Sequence, residues 1–379
     1  MKRSLLIATG LVLLSTSAFA TTSRMTALGE SDSRGSHYID DSRNVFRNAA
    51  HAGTMTNYTV MEWSTTGNGG SDGSGGFFKE AGSFNYGVYL NDTSDSQNAV
   101  AKGTSNYGGA NIGLTGLIDR SDNVDLFFAG DMGFQWGARI GYAASSNKSA
   151  TASAQEQKHS GMSLGAGAVF GDIEGSINFV LKDEYENASN TSVTASGKAE
   201  GSMMDIALAY HWGSWTFYGN YDSRKVEVTS ATVGLTKGET KRSTITVGAG
   251  HIHEVSSTAR IYSDVEYMTQ SGETKAISAT TKSEAGTDAL SLNVAFEADA
   301  TSWLTWRGSV SQNILIDKDT TKAATAGSLE TEVNDASTRV RAGATLNFGK
   351  LKVDGNIGST NDDLSLSTVL TEVAVHYWF

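Results

Sequence analysis

The sequence predicts an all-β fold, a closed transmembrane β-barrel of about sixteen antiparallel strands. From Asn57 onward, apolar and polar residues alternate with a period of two, which is typical of strands whose two faces meet different environments. Short and long gaps between these segments alternate along the second two-thirds of the chain, as expected for turns and loops at opposite ends of a membrane barrel. The chain contains no proline, which favours continuous strands because proline cannot donate to a β-ladder.

The chain divides into three predicted parts. Residues 1–20 combine a basic start, an apolar run and the small-residue pattern Ala18-Phe19-Ala20, which is typical of a cleaved secretory signal peptide. Residues 21–56 are polar and irregular, and we expect them to form an N-terminal periplasmic or lumenal segment. Residues 57–379 are the predicted transmembrane β-barrel.

Sixteen segments have the length and alternation of strands, and counting them gives a topology. With sixteen strands, the first strand begins on the same side of the membrane as the last one ends, and every short gap lies on that side. Fourteen strands, with residues 57–82 outside the wall, keep the same parity and remain an alternative. The predicted segments are 57–64, 75–80, 83–91, 123–130, 135–144, 159–170, 172–184, 201–211, 214–227, 242–253, 258–270, 287–298, 302–315, 336–348, 350–358 and 369–379.

The charged face of these strands is predicted to line the lumen. A Lys or Arg that faces the middle of a bilayer from a barrel wall costs about 2–4 kcal/mol. Eight such residues would cost roughly 16–32 kcal/mol, more than the roughly 5–15 kcal/mol by which folded proteins are stable. The predicted pore-lining residues are Arg139, Glu174, Lys182, Asp205, Asp222, Arg224, Arg260, Asp264, Glu266, Glu297, Arg307, Arg339, Arg341, Lys352, Asp354 and Glu372.

The last strand resembles the terminal strand of Gram-negative outer-membrane β-barrel proteins. Its apolar face ends in Tyr377 and Phe379, within the sequence Tyr377-Trp378-Phe379, and in that family such an ending is a signal for the barrel-insertion machinery. The resemblance implies a general porin-like barrel in the outer membrane, in contact with lipid, and a homotrimer as one expected assembly. Over the rest of residues 57–379 the resemblance is architectural.

Composition and motifs exclude several other classes. The chain has 41 acidic against 29 basic residues, whereas a nucleic-acid partner requires a basic face. It has no cysteine, so neither a disulfide framework nor a thiolate metal site can form. The G-x-S-x-G match at 69–73 lies in a Gly/Ser/Asp run with no apolar strand before it, and the pair His251 and His253 fits an exposed strand better than a metal site. We therefore predict no enzyme activity, no metal and no cofactor.

The function predicted from the sequence is passive diffusion of small hydrophilic solutes and ions through a water-filled channel. Interior charges of both signs balance in the predicted list, which favours weak ion selectivity, and sixteen strands leave an aqueous lumen. Two alternatives stay open. The barrel could be a closed structural or surface-interaction protein, or a substrate-specific channel with the N-terminal segment as a hatch. The long gap 92–122 and residues 21–56 are both candidates for a lumenal constriction.

Overall fold

The computed structural model forms one closed antiparallel barrel. It describes residues 21–65, 71–92, 123–148, 155–189, 197–230, 237–277, 279–322, 330–333, 338–357 and 372–379. The predicted signal peptide and the interior of the gap 92–122 lie outside these residues. No helix in the described ranges is long and apolar enough to cross a membrane.

Sixteen strands build the wall, and a seventeenth short strand, β14, extends one of them. Each strand pairs antiparallel with its neighbour in sequence from β1 to β13. The ring continues through β15, β16 and β17 back to β1, while β14 pairs with β13. The strands are β1 Tyr58–Thr65, β2 Ser71–Ala81, β3 Phe84–Leu90, β4 Asn123–Asp131, β5 Gln135–Lys148, β6 Gln155–Phe170, β7 Ile173–Ser189, β8 Gly197–Trp212, β9 Trp215–Ser230, β10 Lys237–Ser256, β11 Ala259–Lys275, β12 Ser283–Thr301, β13 Leu304–Lys322, β14 Glu330–Val333, β15 Thr338–Phe348, β16 Leu351–Ile357 and β17 Glu372–Trp378.

Closure is made by the first and last strands. Thr59 of β1 lies opposite Tyr377 of β17, and the Phe379 backbone N–H donates to the Asn57 carbonyl at 2.9 Å. Both chain ends of the wall therefore lie at the same end of the barrel. The sixteen-strand prediction is confirmed, and the fourteen-strand alternative is wrong because β1 and β2 are members of the ring.

The two faces of the wall differ as the alternation predicts. In β4, Asp125 and Phe127 point inward and are fully buried, whereas Leu126 and Phe128, which alternate with them, are exposed on the outside. The same contrast recurs around the ring, where large apolar side chains are exposed on the outer face and polar side chains are buried within. An exposed apolar belt on a closed wall is what a lipid-facing barrel requires.

Several strands are longer than predicted at the end that carries the long gaps. The prediction for β10 was 242–253, but the strand runs from Lys237 to Ser256. Its extension is polar on the outside as well, where Lys225 bridges Glu227 at 2.6 Å and Glu239 at 3.4 Å. Period-two contrast vanishes once both faces are polar, so the sequence pattern stops before the strand does.

Short helices occupy the N-terminal segment before β1. They are α1 Thr22–Ala27, α2 Asn44–Arg47 and the 3₁₀ helix η1 Ala49–Gly53. Most side chains of residues 21–56 are buried, although no strand of the wall includes them. They are buried because the segment lies inside the barrel.

Candidate functional site

Residues 21–56, called the plug below, fill part of the lumen and contact the wall around its circumference. Every arginine of the plug is ion-paired with a wall-borne carboxylate. Arg24 binds Glu297 of β12 with two hydrogen bonds of 2.8 and 3.0 Å. Arg34 binds Asp205 of β8.

The other two plug arginines bind carboxylates at β1, at the end of β3 and on β7. Arg43 lies 2.7 Å from Asp92, just after β3, and 3.3 Å from Glu62 of β1. Arg47 lies 3.0 Å from Glu174 of β7. Taken together, the arginine contacts attach the plug to β1, the end of β3, β7, β8 and β12.

A buried charge network links the start of the plug to the wall strands. Glu297 accepts from Arg307 at 3.1 Å as well as from Arg24, and Arg307 reaches Asp354 at 3.3 Å. Asp354 also accepts from the Thr21 hydroxyl at 3.0 Å. Charge-assisted bonds of this kind are stronger than neutral ones, so this network contributes to holding α1 against the wall.

Two apolar contacts complement the charges. The C-terminal half of the plug contributes Val45, Phe46 and Ala49 to a buried cluster with Phe78 and Phe127 of the wall. A second buried cluster forms at the N-terminal half, and it joins Met25, Leu28, Tyr38 and Ile39 to Tyr262 and Ala295. The plug is therefore docked by packing as well as by charge.

Small inward residues of the wall make room for η1. Ala129, Gly137 and Gly167 lie in one row across β4, β5 and β6. A Cβ on Gly137 would lie 2.2 Å from the backbone of Ala49, and one on Gly167 would lie 1.8 Å from the Asn48 Oδ1 atom. Only glycine allows the plug backbone to approach the wall this closely.

Asp41 is a buried carboxyl within the plug. It is 3.2 Å from the Arg24 guanidinium and accepts from the Arg43 backbone N–H at 2.9 Å. Burial raises the pKa of the Asp41 carboxyl from 3.8 to about 7, because desolvation of the charged form outweighs the attraction of Arg24. The charge of this carboxyl therefore changes near neutral pH.

A cavity of about 920 Å³ lies beside the plug in the lumen. Its lining combines plug residues, including Glu30 and Arg34, with inward residues of β9 to β15. The lining is mostly polar and charged. Sequence reasoning did not predict the cavity, because its shape depends on where the plug sits.

The structure places the predicted pore-lining residues on the inner face, except for Lys182. Lys182 lies opposite the exposed Met162, at a β-bulge that shifts the register of β7, and it is exposed beside Glu184 at 3.8 Å. It therefore belongs to the outer face, contrary to the sequence-based expectation. An extra residue in a bulge reverses the in–out pattern beyond it.

The sequence analysis missed several inward carboxylates. Glu62, Asp92, Asp125 and Asp183 are all buried on the lumenal side. The inner wall is thus richer in acids than the balanced list predicted, and the plug arginines supply part of the missing positive charge. The signal that could have found them is the clustering of arginines in residues 21–56, which contain no lysine.

The residues considered in the sequence for metal binding or hydrolysis do not come together in a site. Gly250 is an inward residue beneath Tyr38, so His251 and His253, one and three residues later on the strand, face outward, and His251 packs on Trp215. Part of the G-x-S-x-G match lies outside the described residues. Within the described ranges no group of three His, Asp or Glu side chains is placed to hold a metal ion.

Comparison with known proteins gives matches only among solved structures. No family model and no curated protein matches the chain. The structure of OmpT, an outer membrane protein of Vibrio cholerae, matches in its loop L8 deletion form with 11% identity, a TM-score of 0.37, and coverage of 85% of this chain and 96% of that one. The chain has the fold of a Gram-negative outer-membrane β-barrel.

Two further matches cover nearly the whole chain. The Pseudomonas putida toluene transporter TodX matches with 10% identity and a TM-score of 0.35, covering 95% of this chain and 96% of its own. The CymD monoaromatic hydrocarbon channel matches with 11% identity and a TM-score of 0.39, covering 96% and 99%.

Proposed function

We propose that the chain is an outer-membrane channel for small hydrophilic solutes, closed by its own plug and opened when the plug shifts. The observation that carries this proposal is the set of four plug arginines, each bound to a carboxylate of the wall or its edge. Ionic contacts hold the plug without covalent bonds, so it can leave its seat while the sixteen-strand wall stays intact.

The lining of the 920 Å³ cavity favours hydrophilic over hydrophobic solutes. Glu30, Asp264, Glu266 and Arg339 all contribute to it. An apolar solute would have to desolvate these groups without offering them hydrogen bonds, which is unfavourable. The proposal thus narrows the porin-like prediction to a gated channel in the outer membrane. The protein would reach that membrane by means of the signal peptide 1–20 and the insertion signal of β17.

A permanently closed structural barrel is the second candidate. The completeness of the arginine pairing favours it, since each of the four plug arginines already has an ion-pair partner. The two candidates differ in whether weakening the plug contacts creates a path for solutes.

Liposome swelling with small neutral sugars tests the proposal. Arg24→Gln combined with Arg47→Gln removes one partner from each of two buried pairs, a change that costs about 3–5 kcal/mol per pair. We expect solute flux to rise at least tenfold over that of the unaltered protein. Lys198→Gln combined with Lys225→Gln is the matched control, because these lysines make exposed pairs worth about 0–1 kcal/mol.

Folding of each variant is checked by its heat-modifiable mobility in gel electrophoresis. If folded Arg24→Gln/Arg47→Gln barrels admit no more solute than the control, the gated channel is wrong and the closed structural barrel stands.

A further inference from the structure

The lumenal cavity has charged side chains at two separate ends, and these charges are not used by the plug. Arg34 lines the cavity but is engaged by Asp205. Glu30 and Arg47 of the plug and Asp317 and Asp319 of β13 also line it, and the other charges belong to β11 on one side and β15 on the other.

The basic end consists of Arg339 and Arg341 on β15. They are two residues apart and share the inner face, since they lie opposite Ser311 and Ser309 of β13. Both line the cavity. Within the ranges the structure describes, neither guanidinium has an ion-pair partner, whereas each of the four plug arginines has one.

The acidic end consists of Asp264 and Glu266 on β11. The Tyr218 hydroxyl lies 2.9 Å from Asp264 Oδ2 and 3.1 Å from Glu266 Oε2. One hydroxyl has one hydrogen, so it cannot satisfy both carboxylates. Asp264 is 8% exposed, and its Oδ1 atom has no hydrogen-bond partner.

The two ends lie on one row of paired residues across neighbouring strands. The register runs from Asp264 to Asn293 on β12, then to Ser311 on β13 and to Arg339 on β15. At a strand spacing of about 4.8 Å, the backbones at the ends of this row are about 14 Å apart. The side chains extend from both ends into the cavity and shorten that gap. Asn293 and Ser311 lie between them, and the Asn293 amide donates to the plug carboxylate Glu30 at 3.1 Å.

We propose that this row is a binding site for small zwitterionic solutes, of the free amino acid class. The ammonium group of such a solute faces Asp264, Glu266 and the Tyr218 hydroxyl. Its carboxylate faces Arg339 and Arg341, whose planar guanidinium groups match carboxylate geometry. The cavity volume of about 920 Å³ lies within the roughly 300–1,000 Å³ range of small-molecule sites.

Charges of both signs at opposite ends of one cavity favour a zwitterion over a simple ion. An anion held by the arginines would leave the carboxylates without a cation, and a cation held by Asp264 and Glu266 would leave the arginines unpaired. A solute with both charges satisfies both ends at once. The inference specifies which solutes the proposed channel would carry, and to that extent it rests on the proposed function. Binding of the solute can be measured without transport, so the two proposals are tested separately.

The test is a ligand-observed NMR titration of the full-length protein in detergent with three related probes. Serine carries both charges, N-acetylserine only the negative one and serinamide only the positive one. We expect serine to bind the unaltered protein at least tenfold more tightly than either analogue. Arg339→Gln/Arg341→Gln should bring the affinity for serine down to that for serinamide, and Asp264→Asn/Glu266→Gln should bring it down to that for N-acetylserine.

The results that support the zwitterion site differ from those that overturn it. Lys198→Gln/Lys225→Gln, which alters exposed outer-face lysines, should bind all three probes as the unaltered protein does. Equal affinity of the unaltered protein for serine and N-acetylserine would identify a simple anion site and overturn the proposal. If none of the three probes binds, the proposal is overturned as well. Serine binding without solute flux through liposomes would refute the proposed channel and leave the zwitterion site standing.

Discussion

At the scale of single residues, Asp41 makes plug docking depend on pH. The raised pKa of about 7 means that the docked plug holds a proton that a released plug would lose above pH 3.8. Its contribution to docking is therefore fully present below about pH 3.8 and is lost as the pH rises to about 7. Docking of the unaltered plug should weaken over this window relative to a variant in which residue 41 cannot ionise.

Asp41→Asn tests this dependence, because the amide has the shape of the carboxyl group and cannot ionise, and its oxygen can still accept from the Arg43 backbone N–H. Trypsin reports release of the plug, since it cleaves after the plug arginines once they are exposed. We expect the cleavage rate of the unaltered protein, divided by that of Asp41→Asn, to rise between pH 5 and 7 and then level off. The exposed plug residue Asp32 offers the control substitution Asp32→Asn. A ratio that stays constant with pH would show that Asp41 does not titrate in the docked plug.

Residue roles were predictable where the strand pattern is regular. Arg139, Asp205 and Asp354 follow strict alternation and lie on the inner face, buried. Lys182 follows a bulge that the sequence does not reveal, so its face was predicted wrongly. The partners of the inward carboxylates could not be predicted, because no local pattern links them to the plug arginines, and some pairs, such as Arg47 and Glu174, lie 127 residues apart.

At the scale of elements, β5 and β6 are shaped to receive η1. Gly137 of β5 has no room for a side chain because the backbone of Ala49 lies where a Cβ would be. Gly137→Leu should therefore displace η1 while leaving the wall strands paired. We expect faster trypsin cleavage in the plug, by at least tenfold, with unchanged heat-modifiable mobility.

Gly219→Ala is the control for a glycine lost from a strand. A Cβ there would make only ordinary contact, 3.6 Å from the Thr246 carbonyl oxygen. If Gly137→Leu protects the plug as well as Gly219→Ala does, the close fit between η1 and β5 is not what seats the plug.

The terminal strand β17 closes the ring. Residues 377–379 supply the pairing of Tyr377 with Thr59 and the Phe379 bond to Asn57, and Tyr377 and Phe379 are exposed on the outer face. Deleting residues 377–379 should shorten the pairing that closes the ring and remove the predicted insertion signal. We expect loss of the folded, heat-modifiable form from outer-membrane fractions, and a normal yield of that form would refute the role assigned to this strand end.

At the scale of the whole molecule, the strands were predictable from the sequence and the plug was not. Alternation from Tyr58 onward is a local signal, and it identified all sixteen wall strands. Residues 21–56 have no such period, since their burial comes from the surrounding wall and not from a face of their own. The role of their arginines is apparent only beside carboxylates such as Glu174 and Glu297, which are neighbours in space but distant in sequence.

The charge of the lumen is likewise a property of plug and wall together. Removing the plug would uncover Glu62, Asp92, Glu174, Asp205 and Glu297, which the plug arginines now neutralise. Fixed negative charges along an aqueous channel attract cations. The open barrel should therefore prefer cations, in contrast to the weak selectivity that a balanced wall predicts.

Single-channel recording in planar bilayers tests the central claim most directly, by comparing the full-length protein with a variant lacking residues 22–55. We predict rare, small openings for the full-length barrel and a large, steady, cation-selective conductance for the variant, with both proteins folded by heat-modifiable mobility. Equal conductance and equal selectivity in the two proteins would contradict the account, because the plug would then not close the lumen.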